Sequence, residues 1–113
     1  MSLDKYRVTR RKASWTDATR GMAYELEEAT GRESMGLVTL SIDMAAAPPD
    51  KKAAALHACC VEAIAISVVE ADGTRILDSI DGRSIVASWP AGLVMELGAV
   101  CIELNGIEAK KKD

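Results

Sequence analysis

Asp50-Lys51-Lys52-Ala53-Ala54-Ala55-Leu56-His57-Ala58-Cys59-Cys60-Val61-Glu62-Ala63-Ile64-Ala65-Ile66-Ser67-Val68-Val69-Glu70-Ala71 is the stretch on which the fold turns. Pro48 and Pro49 end whatever precedes it, because proline lacks a backbone N–H and restricts the residue before it. Asp50 then suits a helix cap, and the pattern predicts a helix from Lys51 to about Ala71. Apolar residues occur on nearly every side of that helix, which places it at the buried centre of the fold. Its many alanines let neighbouring helices approach closely at little side-chain entropy cost. The apolar run from Ala53 to Val69 is interrupted by His57, Glu62 and Ser67, so it is too short and too polar to span a bilayer.

Working outward toward the C-terminus, Ala71-Asp72-Gly73-Thr74 reads as a turn and Asp81-Gly82 as a second one. The segment from Arg75 to Ile85 is irregular, and the two Asp-Gly pairs flanking Arg75-Ile76-Leu77 allow a small hairpin. A last helix is expected from about Pro90 to Leu104. Pro90 suits the first turn, where a missing N–H matters least. Leu93, Leu97, Val100, Cys101 and Leu104 form its buried stripe, and Asn105-Gly106 forms its stop.

Working toward the N-terminus, residues 33–46 carry two patterns at once. Val38, Leu40, Ile42 and Met44 alternate with Thr39, Ser41 and Asp43 as in a strand, whereas Met35, Leu37, Leu40 and Met44 fit a helical stripe. Helical neighbours and a shortage of strands to pair with favour the helix. Residues 15–30 read as a further helix. Ser14 is its cap, and Trp15, Ala18, Met22, Leu26 and Ala29 are spaced by three or four as one stripe, with Gly31 as the stop. Residues 4–12 are basic and weakly alternating, as in a strand or an extended arm. The expected fold is mainly α: a small helical domain of three to four helices, with room for a short N-terminal strand or hairpin. Its parts are a basic N-terminal arm or strand at 1–13, the helical domain at 14–106 and a flexible Lys-rich tail at 107–113.

Composition narrows the function. The 113 residues suffice for one modest core, and 49% hydrophobic with 27% charged residues is the balance of a folded chain. Aromatics are 4% with no Phe, so Ala, Val, Ile, Leu and Met must build the interior. Fourteen basic against seventeen acidic residues give −3, and the basic ends lack interleaved aromatics, which argues against a nucleic-acid reader. Three cysteines, two adjacent, make no disulfide framework and suggest a reducing compartment. The charged N-terminus lacks the apolar run of a signal peptide.

No constellation of residues reads as chemistry. His57 and Cys60 share a helical face, but a zinc site needs a second ligand pair, and Cys101 stands alone. A Cys–His nucleophile needs a thiolate in an open, electropositive setting, whereas Ala, Val and Ile surround Cys60. Glu25, Glu27 and Glu28 read as a solvated face, and the Asp-Gly turns lack the ligands of a calcium loop. No catalytic residue, metal or cofactor is therefore expected. Trp15 and Trp89, each at an expected helix start, are candidates for a protein-binding surface, as tryptophan is common at interface hot spots. Met22 and Met95 join them as adaptable apolar contacts.

The order of segments also carries a resemblance. Arg11-Lys12-Ala13-Ser14-Trp15-Thr16-Asp17-Ala18 is followed by the central helix ending in Glu70-Ala71-Asp72-Gly73-Thr74. The chain closes with Ser88-Trp89-Pro90-Ala91-Gly92-Leu93-Val94-Met95-Glu96-Leu97 and then Ile102-Glu103-Leu104-Asn105-Gly106. Over most of residues 11–106 this resembles the small tail assembly chaperones of long-tailed bacteriophages and prophages. In that family a late helix with Leu or Trp followed by Pro-Ala-x-Leu-Val-x-Glu-Leu runs into a Leu-Asn-Gly or Leu-Ser-Gly stop. Gly92 departs from the acidic or polar residue expected after Ala91. The resemblance implies a helical, non-catalytic protein of the host cytoplasm that binds the tape measure protein, helps recruit tail tube subunits and self-associates, without a membrane, nucleic acid or cofactor. It also implies a longer form made by frameshifting, with which Lys110-Lys111-Lys112 is compatible. Another phage adaptor, such as a head–tail joining or tail-completion protein, and a small enzyme built around His57 and Cys60 remain as alternatives.

Overall fold

The computed structural model describes residues 3–106. Among them, two strands, β1 (Lys12–Asp17) and β2 (Met22–Glu27), lead to helix α1 (Met35–Ala46) and helix α2 (Lys52–Ser67). A two-residue strand, β3 (Val68–Val69), follows directly, and then helices α3 (Gly82–Ala87) and α4 (Ala91–Leu104). The sheet is antiparallel in the order β1-β2-β3, with Trp15 opposite Tyr24 and Leu26 opposite Val68. The fold is mixed: four described helices form its larger part beside a small three-stranded antiparallel sheet. The tail expected at 107–113, including Lys110 to Lys112, lies outside the described residues.

The helix expected over 15–30 is instead a β-hairpin. The spacing Trp15, Met22, Leu26 fits a helical stripe, but the same residues alternate, and alternation prevails. Ala13, Trp15 and Asp17 point inward with Tyr24 and Leu26, while Lys12, Ser14, Thr16, Ala23 and Glu25 point out. A strand rather than a helix gives Tyr24 a buried place. At the turn, Gly21 has φ +72°, a conformation that favours glycine, and its N–H donates to the Asp17 carbonyl at 2.7 Å. The Asp17 side chain accepts from the Thr19 N–H at 3.0 Å and from Arg20 Nη1 at 2.8 Å. Strand β1 begins at Lys12, within the segment read as the arm, and the stretch before it holds one 3₁₀ turn at Asp4–Tyr6.

Residues 35–46 are helical, as expected, although the element before them is the hairpin and only α2 after them is a helix. Helix α1 buries only Leu37 and half-buries Leu40 and Met44. Helix α2 is the centre of the fold, with every residue from Cys59 to Ser67 buried. It stops at Ser67, not Ala71, because the β-branched pair Val68-Val69 leaves the helix to add to β2. Asp72-Gly73 does form a turn, with Gly73 at φ +88°, and it brings Arg75 back into a single bridge with Val69. No wider hairpin forms over 75–85 among the described residues. Ile76–Asp78 is a 3₁₀ turn, and Asp81-Gly82 opens α3, where Gly82 lies against the Ile76 carbonyl and a Cβ would overlap it.

Helix α4 packs along α2 at Gly98, where an added Cβ would sit 2.8 Å from both Cα and Sγ of Cys60. Leu93, Val94, Leu97 and Cys101 seal the interior on that side. At its end, Asn105 ties three elements together. Its Nδ2 donates to Ser67 Oγ and to the Cys101 carbonyl, each at 2.8 Å, and its Oδ1 accepts from the Ala29 N–H at 2.8 Å. Arg11 Nη2 donates to the Leu104 carbonyl at 2.5 Å, placing a cation at the negative end of the α4 dipole. No described helix is long and apolar enough to cross a membrane.

Candidate protein-binding surface

Three of the four residues singled out from the sequence come together, through one that was not. Trp15 and Tyr24 face each other across β1 and β2, with ring centroids 6.0 Å apart and planes inclined by 35°. Trp89, just before α4, meets the other side of Tyr24 at 6.1 Å and 47°. These are the tilted spacings that aromatic pairs favour. The Tyr24 O–H reaches Met22 Sδ at 3.9 Å, a weak contact that draws the methionine to the end of the row. Tyr24 is buried, both tryptophans are half-buried and Met22 is 54% exposed. Met95 sits on α4, half-buried against the core. Tyr24 was legible only as part of a strand. In the helical reading it fell off the stripe and had no role.

A second apolar surface lies on α1. Met35, Val38 and Ile42 are spaced by three and four residues, share one face, and are 63%, 36% and 65% exposed. Ala45 and Ala46 continue toward the helix end and are exposed too. Asp43 is the one charged residue in the helix. Contiguous exposed apolar side chains of this kind mark interaction surfaces more often than isolated ones do.

The charged residues near these surfaces are engaged in holding the fold. Arg75, only 6% exposed, spans Glu33 and Glu27 with its two terminal nitrogens at 2.5 and 2.6 Å, and its backbone N–H donates to Asp78 Oδ2 at 2.9 Å. Arg10 adds a 3.0 Å contact to Glu27. Thus the hairpin, the entry to α1 and the segment after β3 share one ion network. Glu62, buried on α2, takes both Nε and Nη2 of Arg83 at 2.6 and 2.9 Å, which holds the Arg83 guanidinium above its ordinary pKa. Its Oε2 also packs where a side chain on Gly36 would begin.

The thiols are interior groups. Cys59, Cys60 and Cys101 are all buried and unpaired, and burial pushes each pKa up, that of Cys101 to about 12. A thiol so disposed is a weak donor and a poor nucleophile. His57 is half-buried one turn before Cys60 on α2. No group of three or more His, Cys, Asp or Glu among the described residues could hold a metal ion.

Comparison with protein-family models, with curated proteins and with solved structures finds no match to this chain.

Proposed function

We propose that this protein is a binding module, not a catalyst: a tail assembly chaperone of a long-tailed bacteriophage or prophage. In this role it works in the host cytoplasm, holds the tape measure protein and helps recruit tail tube subunits. The observation that carries the reading is the exposed apolar row Met35, Val38 and Ile42 on α1, a helix whose other side seats Leu37, Leu40 and Met44 on the core. A long helical client presents an apolar stripe of its own, and such stripes dock side by side on an uncharged helix face. The aromatic row Trp15–Tyr24–Trp89, ending in exposed Met22, offers a second and more rigid contact. Methionine at both places suits a surface that must accommodate one client segment after another.

The test is co-expression with segments of the tape measure protein encoded beside it, followed by size-exclusion chromatography. A stable complex is expected with an apolar helical segment. Ile42→Glu together with Met35→Glu should abolish it while leaving the melting temperature within a few degrees, because both side chains are already mostly exposed. Failure to capture any tape measure segment, or capture undiminished by the double substitution, would overturn the assignment. Recovery of the chain from assembled particles would point instead to a tail-completion or head–tail joining protein.

A further inference from the structure

The sheet carries its helices on one face only, and its other end is notched. Lys12, Glu25, Glu27, Val69, Glu70 and Ala71 line a groove of about 310 Å³ where β2 meets the end of β3. Glu27 is compensated there by Arg75, Arg10 and Lys12. Glu25 accepts a hydrogen bond from Ser14 Oγ at 2.6 Å, but neither it nor Glu70 has a cationic partner among the described residues. The groove therefore keeps two exposed carboxylates without a counter-charge, beside the apolar wall of Val69 and Ala71.

The segment before β1 has the opposite character. Every residue from Leu3 to Thr9 is exposed. Leu3, Tyr6 and Val8 are 66%, 65% and 87% accessible, and Lys5 and Arg7 lie between them, Arg7 holding the Asp4 carboxylate of its own turn at 3.1 Å through a solvent-exposed contact. After the single turn Asp4–Tyr6 the backbone runs extended from Arg7. Fixing a residue's backbone costs about 1–2 kcal/mol, and this arm buries little apolar surface on its own body to offset it. The arm is also rooted at the groove's rim, where Arg10 contacts Glu27 and Lys12 forms part of the lining. About a two-fold axis, an arm that leaves one copy at its groove arrives at the groove of the other.

We propose that two copies of this chain associate by exchanging arms. Residues 3–9 of each copy occupy the groove of the second copy, with Lys5 and Arg7 against its Glu25 and Glu70, and the apolar arm residues against its Val69 and Ala71. The arm's two cations match the groove's two carboxylates without a cationic partner, Arg7 giving up its weak, exposed contact with Asp4 on docking, and this match favours one partner and one orientation. Client binding on α1 uses a different surface, so the two ideas fail separately.

Sedimentation equilibrium on the full chain should give twice the monomer mass, weakening between about 0.05 and 0.5 M salt as exposed charges are screened. A chain lacking residues 1–9 should be monomeric. Lys5→Glu/Arg7→Glu and Glu25→Lys/Glu70→Lys should each weaken self-association at least about tenfold, because each places like charges together. Mixed, those two variants should form a heterodimer, since both exchanged contacts are then complementary. A full chain that stays monomeric overturns the proposal. So does a dimer that survives removal of the arm, or a failure of the two charge-reversed chains to pair while each remains folded by circular dichroism.

Discussion

Two glycines on α4 should respond in opposite directions to the same substitution. Gly92 has no heavy atom within 4 Å of an added Cβ, whereas at Gly98 that atom would sit 2.8 Å from the Cα and Sγ of Cys60, on the neighbouring helix. Alanine improves helix propensity by up to about 1 kcal/mol over glycine. Gly92 lies in the first turn, where the gain is smaller, so Gly92→Ala should stabilise by about 0.5 kcal/mol. At Gly98 the same gain is opposed by overpacking in the upper part of the usual range of about 1–3 kcal/mol, because the nearest atoms are the Cβ and Cα of Cys60, which cannot rotate away. Gly98→Ala should therefore destabilise by about 1–2 kcal/mol. With about 4 °C per kcal/mol for a domain of this size, melting followed by circular dichroism should show a rise of about 2 °C for one and a fall of about 4–8 °C for the other. Removing the obstructing side chain as well, in Gly98→Ala/Cys60→Gly, should relieve part of the overpacking but add a helix glycine, so the double mutant should fall short of additivity. If Gly98→Ala melts at or above the starting temperature, α2 and α4 are not in backbone contact there, and the packing described for the core is wrong.

Arg75→Met should cost about 2–4 kcal/mol in urea denaturation, because it leaves Glu27 and Glu33 with only the more exposed Arg10, and Lys12 at the edge of Glu27, to offset them; Arg75→Lys should recover little, since an ammonium cannot span both carboxylates. Asn105→Ala should cost about 1–3 kcal/mol by the same measurement, since it leaves the Ala29 N–H and the Ser67 hydroxyl without their partner. Asp17 has its pKa held below the ordinary 3.8, chiefly by the Arg20 side chain. A depressed carboxylate stabilises the fold above its unfolded pKa and loses that contribution as pH falls through the folded value. Stability measured from pH 5 down toward pH 2 should accordingly drop less steeply for Asp17→Asn than for the parent chain; parallel curves would remove Asp17 from the acid limb.

How much could be read from the chain alone depended on how local the deciding interaction was. The α2 core was legible because apolar residues occur on nearly every side of the helix, with only His57, Glu62 and Ser67 among them. The α4 stripe and its Asn105-Gly106 stop were legible because cap and periodicity sit within one segment. The hairpin was not, because Trp15, Met22 and Leu26 satisfy both a helical and an alternating pattern, and the choice between them is made elsewhere. It is made by Val68-Val69, which pair with β2, and by Arg75, which anchors Glu27 from 48 positions away in the chain. The same holds at the candidate surface. Trp15, Met22 and Trp89 could be named as residues apt for binding another protein, but not that Tyr24 would join them into a row.

The sequence by itself determined the buried centre, the interior character of the three cysteines and the turns at Asp72-Gly73 and Asn105-Gly106, but not the one between Asp17 and Met22. Those follow from side-chain polarity, proline and glycine, which act within a few residues. Tertiary structure alone decided which of two periodicities residues 12–27 obey, where α2 gives way to β3, and which apolar residues of α1 remain uncovered. A strand is stabilised by partners distant in the chain, and a face stays exposed only for lack of an element to lie on it. Neither is a property of the segment itself.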